Sequence, residues 1–233
     1  MYQEIEVRRV AIQPFDLMKQ SMDLMGDQYW LFVGVTFVGL LIASFVPMGI
    51  LLGPMMCGIY LCFFRRMVGK PASFELLFQG FDYFVESLIV TLLLLAASLV
   101  VIVPVGGIMF GVALVGAAGG DGGGSFLGML LTAIMFFGVF IVSLIINACF
   151  AFAYPLVVDR RMKALDAVKS SFRGVMANLA GILVASIVFG IIYLLASCLC
   201  WFPAILFSPI PLGVFAILSR EIFPVGAKPE ILG

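Results

Sequence analysis

The stretch Ser87-Leu88-Ile89-Val90-Thr91-Leu92-Leu93-Leu94-Leu95-Ala96-Ala97-Ser98-Leu99-Val100-Val101-Ile102-Val103 decides the fold. It carries no charge, and its apolar residues leave no polar face at the helical or the strand period. A strand of a membrane barrel alternates polar and apolar faces over about ten residues. Leu92-Leu93-Leu94-Leu95-Ala96-Ala97 is apolar on every side. A helix crosses the hydrocarbon core in about 20 such residues. The stretch therefore reads as a membrane-spanning helix.

The whole chain agrees with that reading. Its 233 residues are 64% hydrophobic and 11% charged, with 13 basic and 13 acidic residues and no histidine. Mean hydropathy is +1.22. Soluble domains carry about 25% charged residues, and a soluble core of this size could not hide so much apolar surface. Disorder needs low hydrophobicity and high net charge. A basic nucleic-acid surface does not fit zero net charge. The expected class is an all-α integral membrane protein.

Four windows hold no charge at all: Gln28–Phe64, Ser87–Gly120, Gly122–Val158 and Gly174–Ser219. The first holds two spans, Tyr29–Val46 and Met48–Phe64, about a turn at Pro47. The last holds two more, 176–200 and 204–218, about Trp201-Phe202-Pro203. A third span, 84–103, stops at Pro104-Val105-Gly106-Gly107. Ile108–Gly120 is too short to cross again and reads as helix end, re-entrant piece or outer loop. Gly119–Ser125 reads as a flexible tether, and Phe126–Tyr154 as one tilted span. The prediction is a polytopic helix bundle of about six transmembrane helices in three hairpins. It forms a single transmembrane domain over 14–220, with tails 1–13 and 221–233. Eight spans, with each middle window split, is the alternative.

With six spans, every basic residue from Arg8 to Lys228 falls on one side, and the opposite side carries only Asp121. Basic residues near span ends stay in the cytoplasm. That predicts a multi-pass protein of the inner (cytoplasmic) membrane with both termini cytoplasmic. The N-terminus lacks the apolar segment of a secretory signal.

Each hairpin is preceded by a short amphipathic segment: Phe15-Asp16-Leu17-Met18-Lys19-Gln20-Ser21-Met22, Phe74-Glu75-Leu76-Leu77-Phe78-Gln79-Gly80-Phe81, and Leu165-Asp166-Ala167-Val168-Lys169-Ser170-Ser171-Phe172. Apolar residues occupy positions one, four and eight, an acid position two, and a small residue position seven. Such a helix, too short to span, lies along the membrane interface. Arg65-Arg66-Met67 closes the first hairpin and Arg160-Arg161-Met162 the second. The pattern reads as an internal repeat of amphipathic helix, hairpin and basic stop. The alternative is that membrane insertion alone asks for these elements.

Ser73-Phe74-Glu75-Leu76-Leu77-Phe78-Gln79-Gly80-Phe81, and Tyr154-Pro155-Leu156-Val157-Val158-Asp159-Arg160-Arg161 running into Ala164–Ser171, carry a resemblance. From about Phe15 to Arg220 the chain resembles a bacterial family of uncharacterised six-span membrane proteins. That family is similar to the membrane domain attached to some glycerophosphodiester phosphodiesterases. The resemblance implies topology and an envelope or lipid-related role. The phosphodiesterase domain itself has no counterpart here, so no catalytic residues are implied.

Chemistry is sparse. Glu86 and Asp159 sit at span ends, and no ionisable residue falls at mid-span. Asn147 reads as an interhelical hydrogen-bonding residue. Together with the break at Pro209 and Pro211 it is the candidate intramembrane polar site. The five cysteines read as small buried hydrophobes, without the histidine or carboxylate company a metal needs. No catalytic, metal or cofactor site is expected. Arg65, Arg66, Arg160, Arg161 and Lys163 are the candidate lipid-headgroup residues. Gly49-x-x-x-Gly53, Gly107-x-x-x-Gly111 and Ala177-x-x-x-Gly181 are small-residue helix faces suited to internal contact, a protein partner or self-association. The expected function is a non-catalytic scaffold or lipid- and partner-interacting module of the cell envelope. A transporter or lipid-translocating protein built from three hairpins is the alternative.

Overall fold

The computed structural model describes residues 7–45, 49–118, 122–199 and 201–224. The expected turn at Pro47, the loop residue Asp121, Cys200 and residues 1–6 and 225–233 of the two tails lie outside them. The helices run in the order α1 Pro14–Met25, α2 Tyr29–Phe45, α3 Leu52–Met67, α4 Glu75–Gln79, α5 Phe84–Ala118, α6 Gly122–Ala151, α7 Ala153–Arg160, α8 Ala164–Ala177, α9 Leu179–Leu199, α10 Trp201–Phe207 and α11 Pro209–Ile222. Among the described residues there is no strand. The chain is an all-α, multi-pass membrane protein.

Among the described residues, five segments are long and apolar enough to cross a membrane: Pro14–Phe45, Glu75–Ile108, Thr132–Arg160, Leu179–Cys198 and Pro203–Ile222. The expected second span corresponds to α3, which has 16 residues. It rises only about 24 Å. Arg65 and Arg66 lower its hydropathy most, and Gly53, Pro54, Gly58 and Tyr60 lower it further, yet these four are buried. Their neighbours are protein, so the selection is for close packing rather than for lipid solubility.

Two expectations from prolines and glycines are overturned. The helix does not stop at Pro104; α5 continues through it to Ala118. Gly122–Gly124 are not a tether but the first turn of α6. In hydrocarbon each unpaired backbone group costs several kcal/mol, so a helix persists through residues that would end it in water. Conversely, the single span expected over 126–154 breaks after Ala151, and α7 follows as a separate segment. Trp201–Pro203, read as a turn, lie inside α10, and the final span breaks instead at Ser208.

The chain divides into two compact units, residues 1–91 with 148–233, and Leu92–Asn147. In the first, α3, α7 and α11 pack on one another. Three amphipathic elements then pack on these three helices: α1 on α11, α4 with the turn Gly80–Tyr83 on α3, and α8 on α7.

The amphipathic helices dock through their small residues. Ser21 Oγ donates to the Ile210 carbonyl at 3.0 Å. Ser171 Oγ donates to the Cys149 carbonyl. Gly80 lies so close to the Pro54 carbonyl and to Gly58 that a Cβ would overlap both. Gly58 in turn meets the Leu77 backbone, so two glycines allow α3 and α4 to touch main chain to main chain. The docking position is position seven in all three segments. Position three (Leu17, Leu76, Ala167) is buried beside it. Positions one and eight point outward instead: Phe15, Met22, Phe74, Phe81, Leu165 and Phe172 are 40–65% exposed.

Candidate functional site

The charged end of the first unit is built from the last turns of α3, α7 and α11. Counted from the three docking carbonyls Pro54, Cys149 and Ile210, the tenth residue along is Phe64, Asp159 and Arg220. These three side chains meet. Arg220 Nη2 donates to Asp159 Oδ1 at 2.7 Å, and the guanidinium lies over the Phe64 ring at 4.8 Å from its centroid. The Asp159 side chain is 12% exposed and that of Arg220 26%. The sheltered pair is screened less than a surface ion pair and gains from the aromatic lid, while the desolvation of both charges offsets part of that gain. Its place at a helix end suggests Arg65, Arg66 or Arg160 as partner for Asp159; the partner is Arg220, 61 positions away, which no local pattern marks.

The predicted headgroup residues fall into distinct environments. Arg66 pairs with Asp27, and its Nε donates to the Leu24 carbonyl at 3.0 Å. Arg160 donates to the carbonyls of Phe223 at 2.9 Å and Pro224 at 2.7 Å, completing the end of α11. Arg65 is half-buried, with Nε lacking an acceptor. Arg66 and Arg160 are thus committed to protein carbonyls and a carboxylate. Arg161 and Lys163 are exposed.

Arg161 has a second distinction. It caps α7 in the left-handed region, at φ 49° and ψ 39°. Among the described residues it is the one non-glycine with positive φ. After α3 the left-handed residue is Gly69, at φ 76°, three positions beyond Arg66, which matches Arg161 in the paired basic stops and stays helical. A side chain there costs about 1 kcal/mol that glycine avoids.

Beside Arg161 lies a cavity of about 500 Å3, lined by the elbow Phe81–Glu86 and by Val157, Arg161 and Met162. Glu86 Oε2 accepts the Ala164 N–H at 2.6 Å, satisfying an open donor at the start of α8. Asp82 is exposed, and the Phe81 and Phe84 rings stack at 6.4 Å and 12°.

Two carboxamides tie comparable elbows to the chain that follows or precedes them. Gln28 exchanges both bonds with the Ala72 backbone, at 3.1 and 2.9 Å. Asn178 takes the Val10 N–H at 2.8 Å and donates to the Arg8 carbonyl at 3.0 Å. Neither residue stood out in the sequence, because their partners lie 44 and at least 168 positions away.

The intramembrane candidates do other work. Asn147 donates to the Ser143 carbonyl at 2.8 Å, within its own helix rather than across helices. Pro209 opens α11, where Ser208 Oγ bonds the Ile205 carbonyl that proline cannot serve, at 2.7 Å. Tyr29 takes the Leu206 carbonyl at 2.7 Å, and Ser21 takes that of Ile210, between Pro209 and Pro211. Buried hydroxyls pair elsewhere: Thr91 bonds Tyr154 at 3.1 Å and the Ser87 carbonyl at 2.9 Å. Cys57, Cys62 and Cys149 are buried, while Cys198 is exposed.

Of the small-residue faces, Gly53 abuts the Ser87 backbone and Gly181 abuts Ile12. Gly107 and Gly111 have nothing within 4 Å of an added Cβ. Compared with known family models, curated proteins and solved structures, the chain matches none.

Proposed function

We propose that this chain is a non-catalytic membrane module of the cell envelope that organises lipids or partner proteins around its charged end. The observation that carries the reading is the outward pair on each amphipathic helix. Phe15 and Met22, Phe74 and Phe81, and Leu165 and Phe172 are exposed large apolar side chains set among charged neighbours such as Lys19, Glu75 and Lys169. Helices of this kind bury the apolar face at the headgroup–acyl boundary. Exposed Arg161 and Lys163 add attraction for anionic headgroups.

The unit behind this arrangement is an internal repeat. Its support is the shared docking of position seven on a helix carbonyl, together with the meeting of Phe64, Asp159 and Arg220. The amphipathic helix of the first copy docks on the last helix of the third, so the copies close on themselves. The distribution of basic residues supports an orientation with the charged end and both termini in the cytoplasm, and the inner membrane as the location. The resemblance to the membrane domain of glycerophosphodiester phosphodiesterases supports the same lipid-related role. The transporter reading draws on the break at Ser208, but there the carbonyls of Ile205, Leu206 and Ile210 are already occupied by protein hydroxyls.

The test is the triple variant Phe15→Ser, Phe74→Ser, Leu165→Ser, with phospholipid retained per protein measured after purification in mild detergent. A several-fold loss at an unchanged unfolding midpoint supports the reading. Unchanged retention overturns it.

A further inference from the structure

We infer that the cleft between the Phe81–Glu86 elbow and the end of α7 binds an aminoalkyl phosphate, the group carried by ethanolamine phospholipids. The inference rests on the lipid-related reading above and names the chemistry of one site within it.

The first unit has three comparable places where an elbow faces a helix end. At the first elbow, Arg66 reaches Asp27 and the Leu24 carbonyl and fills the space between the elbow and the end of α3. At the third, the Phe223 ring and Ile222 press on Gly174, so the end of α11 sits directly on α8. At the second, neither closure occurs. Arg161 occupies the place of Arg66, and Glu86 the place of Asp27. Glu86 bonds the Ala164 N–H instead, and among the described residues Arg161 has no hydrogen-bond or ion-pair partner. The cavity of about 500 Å3 is what remains. That volume lies within the range of small-molecule sites, roughly 300–1,000 Å3.

The lining selects the occupant. Asp82 and Glu86 offer two carboxylates four residues apart, and Arg161 a single guanidinium. A wall with both signs suits a zwitterion: the ammonium meets the carboxylates, and the phosphate takes the planar fork of Arg161. A purely anionic headgroup would meet two carboxylates for each guanidinium. A quaternary ammonium has no N–H to donate to them. The stacked Phe81 and Phe84 rings and the outward Val85, 65% exposed, supply an apolar margin continuous with the lipid-facing side of the elbow. The left-handed backbone of Arg161 is a further departure from Arg66, which stays helical at the same place.

The same backbone supplies the cleanest variant. Arg161→Gly removes the guanidinium and relieves the positive φ, so folding is kept. Asp82→Asn, at an exposed position, removes one carboxylate without touching the core. The full chain is placed in phosphatidylcholine nanodiscs. Binding is measured with phosphatidylethanolamine and with phosphatidylglycerol as guests, and separately with soluble O-phosphoethanolamine. The expected result is preference for phosphatidylethanolamine over phosphatidylglycerol. Arg161→Gly weakens it by about tenfold at an equal or higher unfolding midpoint, and Asp82→Asn by less. Binding of O-phosphoethanolamine alone, with the same loss on Arg161→Gly, supports the chemistry and assigns it to the free compound. Binding that survives Arg161→Gly, or preference for phosphatidylglycerol, overturns the inference. If it fails here while the triple serine variant still loses lipid, the broader reading stands. If the triple variant keeps its lipid, the broader reading fails by itself.

Discussion

In the unit of residues 1–91 and 148–233, Phe32, Phe63, Phe64 and Phe152 are sealed, and Gly53, Gly58 and Gly80 sit against backbone. In the unit Leu92–Asn147, Val100, Phe110, Phe136 and Phe137 are each more than 60% exposed, and Gly106, Gly107, Gly111 and Gly138 face open space. Both units are apolar, so hydropathy does not distinguish them. Size and polarity do. Where helix meets helix, small residues and hydroxyls gather, because lipid is as apolar as leucine and only close contact or hydrogen bonding favours protein over lipid. Where helix meets lipid, large aliphatic and aromatic side chains suffice.

The comparison is broken most severely at its glycines. Gly58→Leu drives a side chain into the Leu77 backbone, and the expected cost is about 3 kcal/mol or more. The matching Gly138→Leu changes stability little, since nothing lies within 4 Å. Monodisperse yield and the thermal unfolding midpoint measure both. Equal tolerance at the two sites would remove the distinction between the units.

The next effect is at the charged end of the first unit. Arg220→Gln or Asp159→Asn leaves its partner half-buried and unpaired, at an expected cost of about 2–3 kcal/mol. A double-mutant cycle read by thermal unfolding should return a coupling well above that of a surface pair. The smallest effect is at the docking hydroxyls. Ser171→Ala removes the bond to the Cys149 carbonyl and should cost about 1 kcal/mol. Ser98→Ala, in the other unit, should cost nothing measurable. A Ser171→Ala protein as stable as the parent would mean that shape alone seats α8 on α7.

Much of the candidate site was readable in the chain, though not its sense. Positions one, four and eight of the amphipathic segments stood out as one stripe. A short helix with such a stripe is expected along the membrane interface; positions one and eight face outward, while position four is buried or half-buried. The buried face is marked by position seven, Ser21, Gly80 and Ser171, where smallness permits contact with a carbonyl. On these three helices the large residues at positions one and eight face outward and the small residue at position seven faces protein, the reverse of a soluble amphipathic helix. The headgroup arginines divided for a related reason. Arg66 and Arg161 occupy the same place after paired stops, and only the neighbouring elbow makes one a strut and leaves the other on a cleft.

The sequence by itself determined the class, the approximate place of each apolar helix and the three amphipathic segments between them. These follow from composition and local period, which the bilayer enforces through backbone hydrogen bonding. The tertiary structure decided which side of each amphipathic helix is inner, which arginines are bound and where a cleft stays open. Those outcomes rest on partners far apart in the chain: Arg220 with Asp159, Asn178 with Arg8 and Val10, Ser21 with Ile210. Local propensity carries no information about such pairs, because their energy exists only once the helices have met.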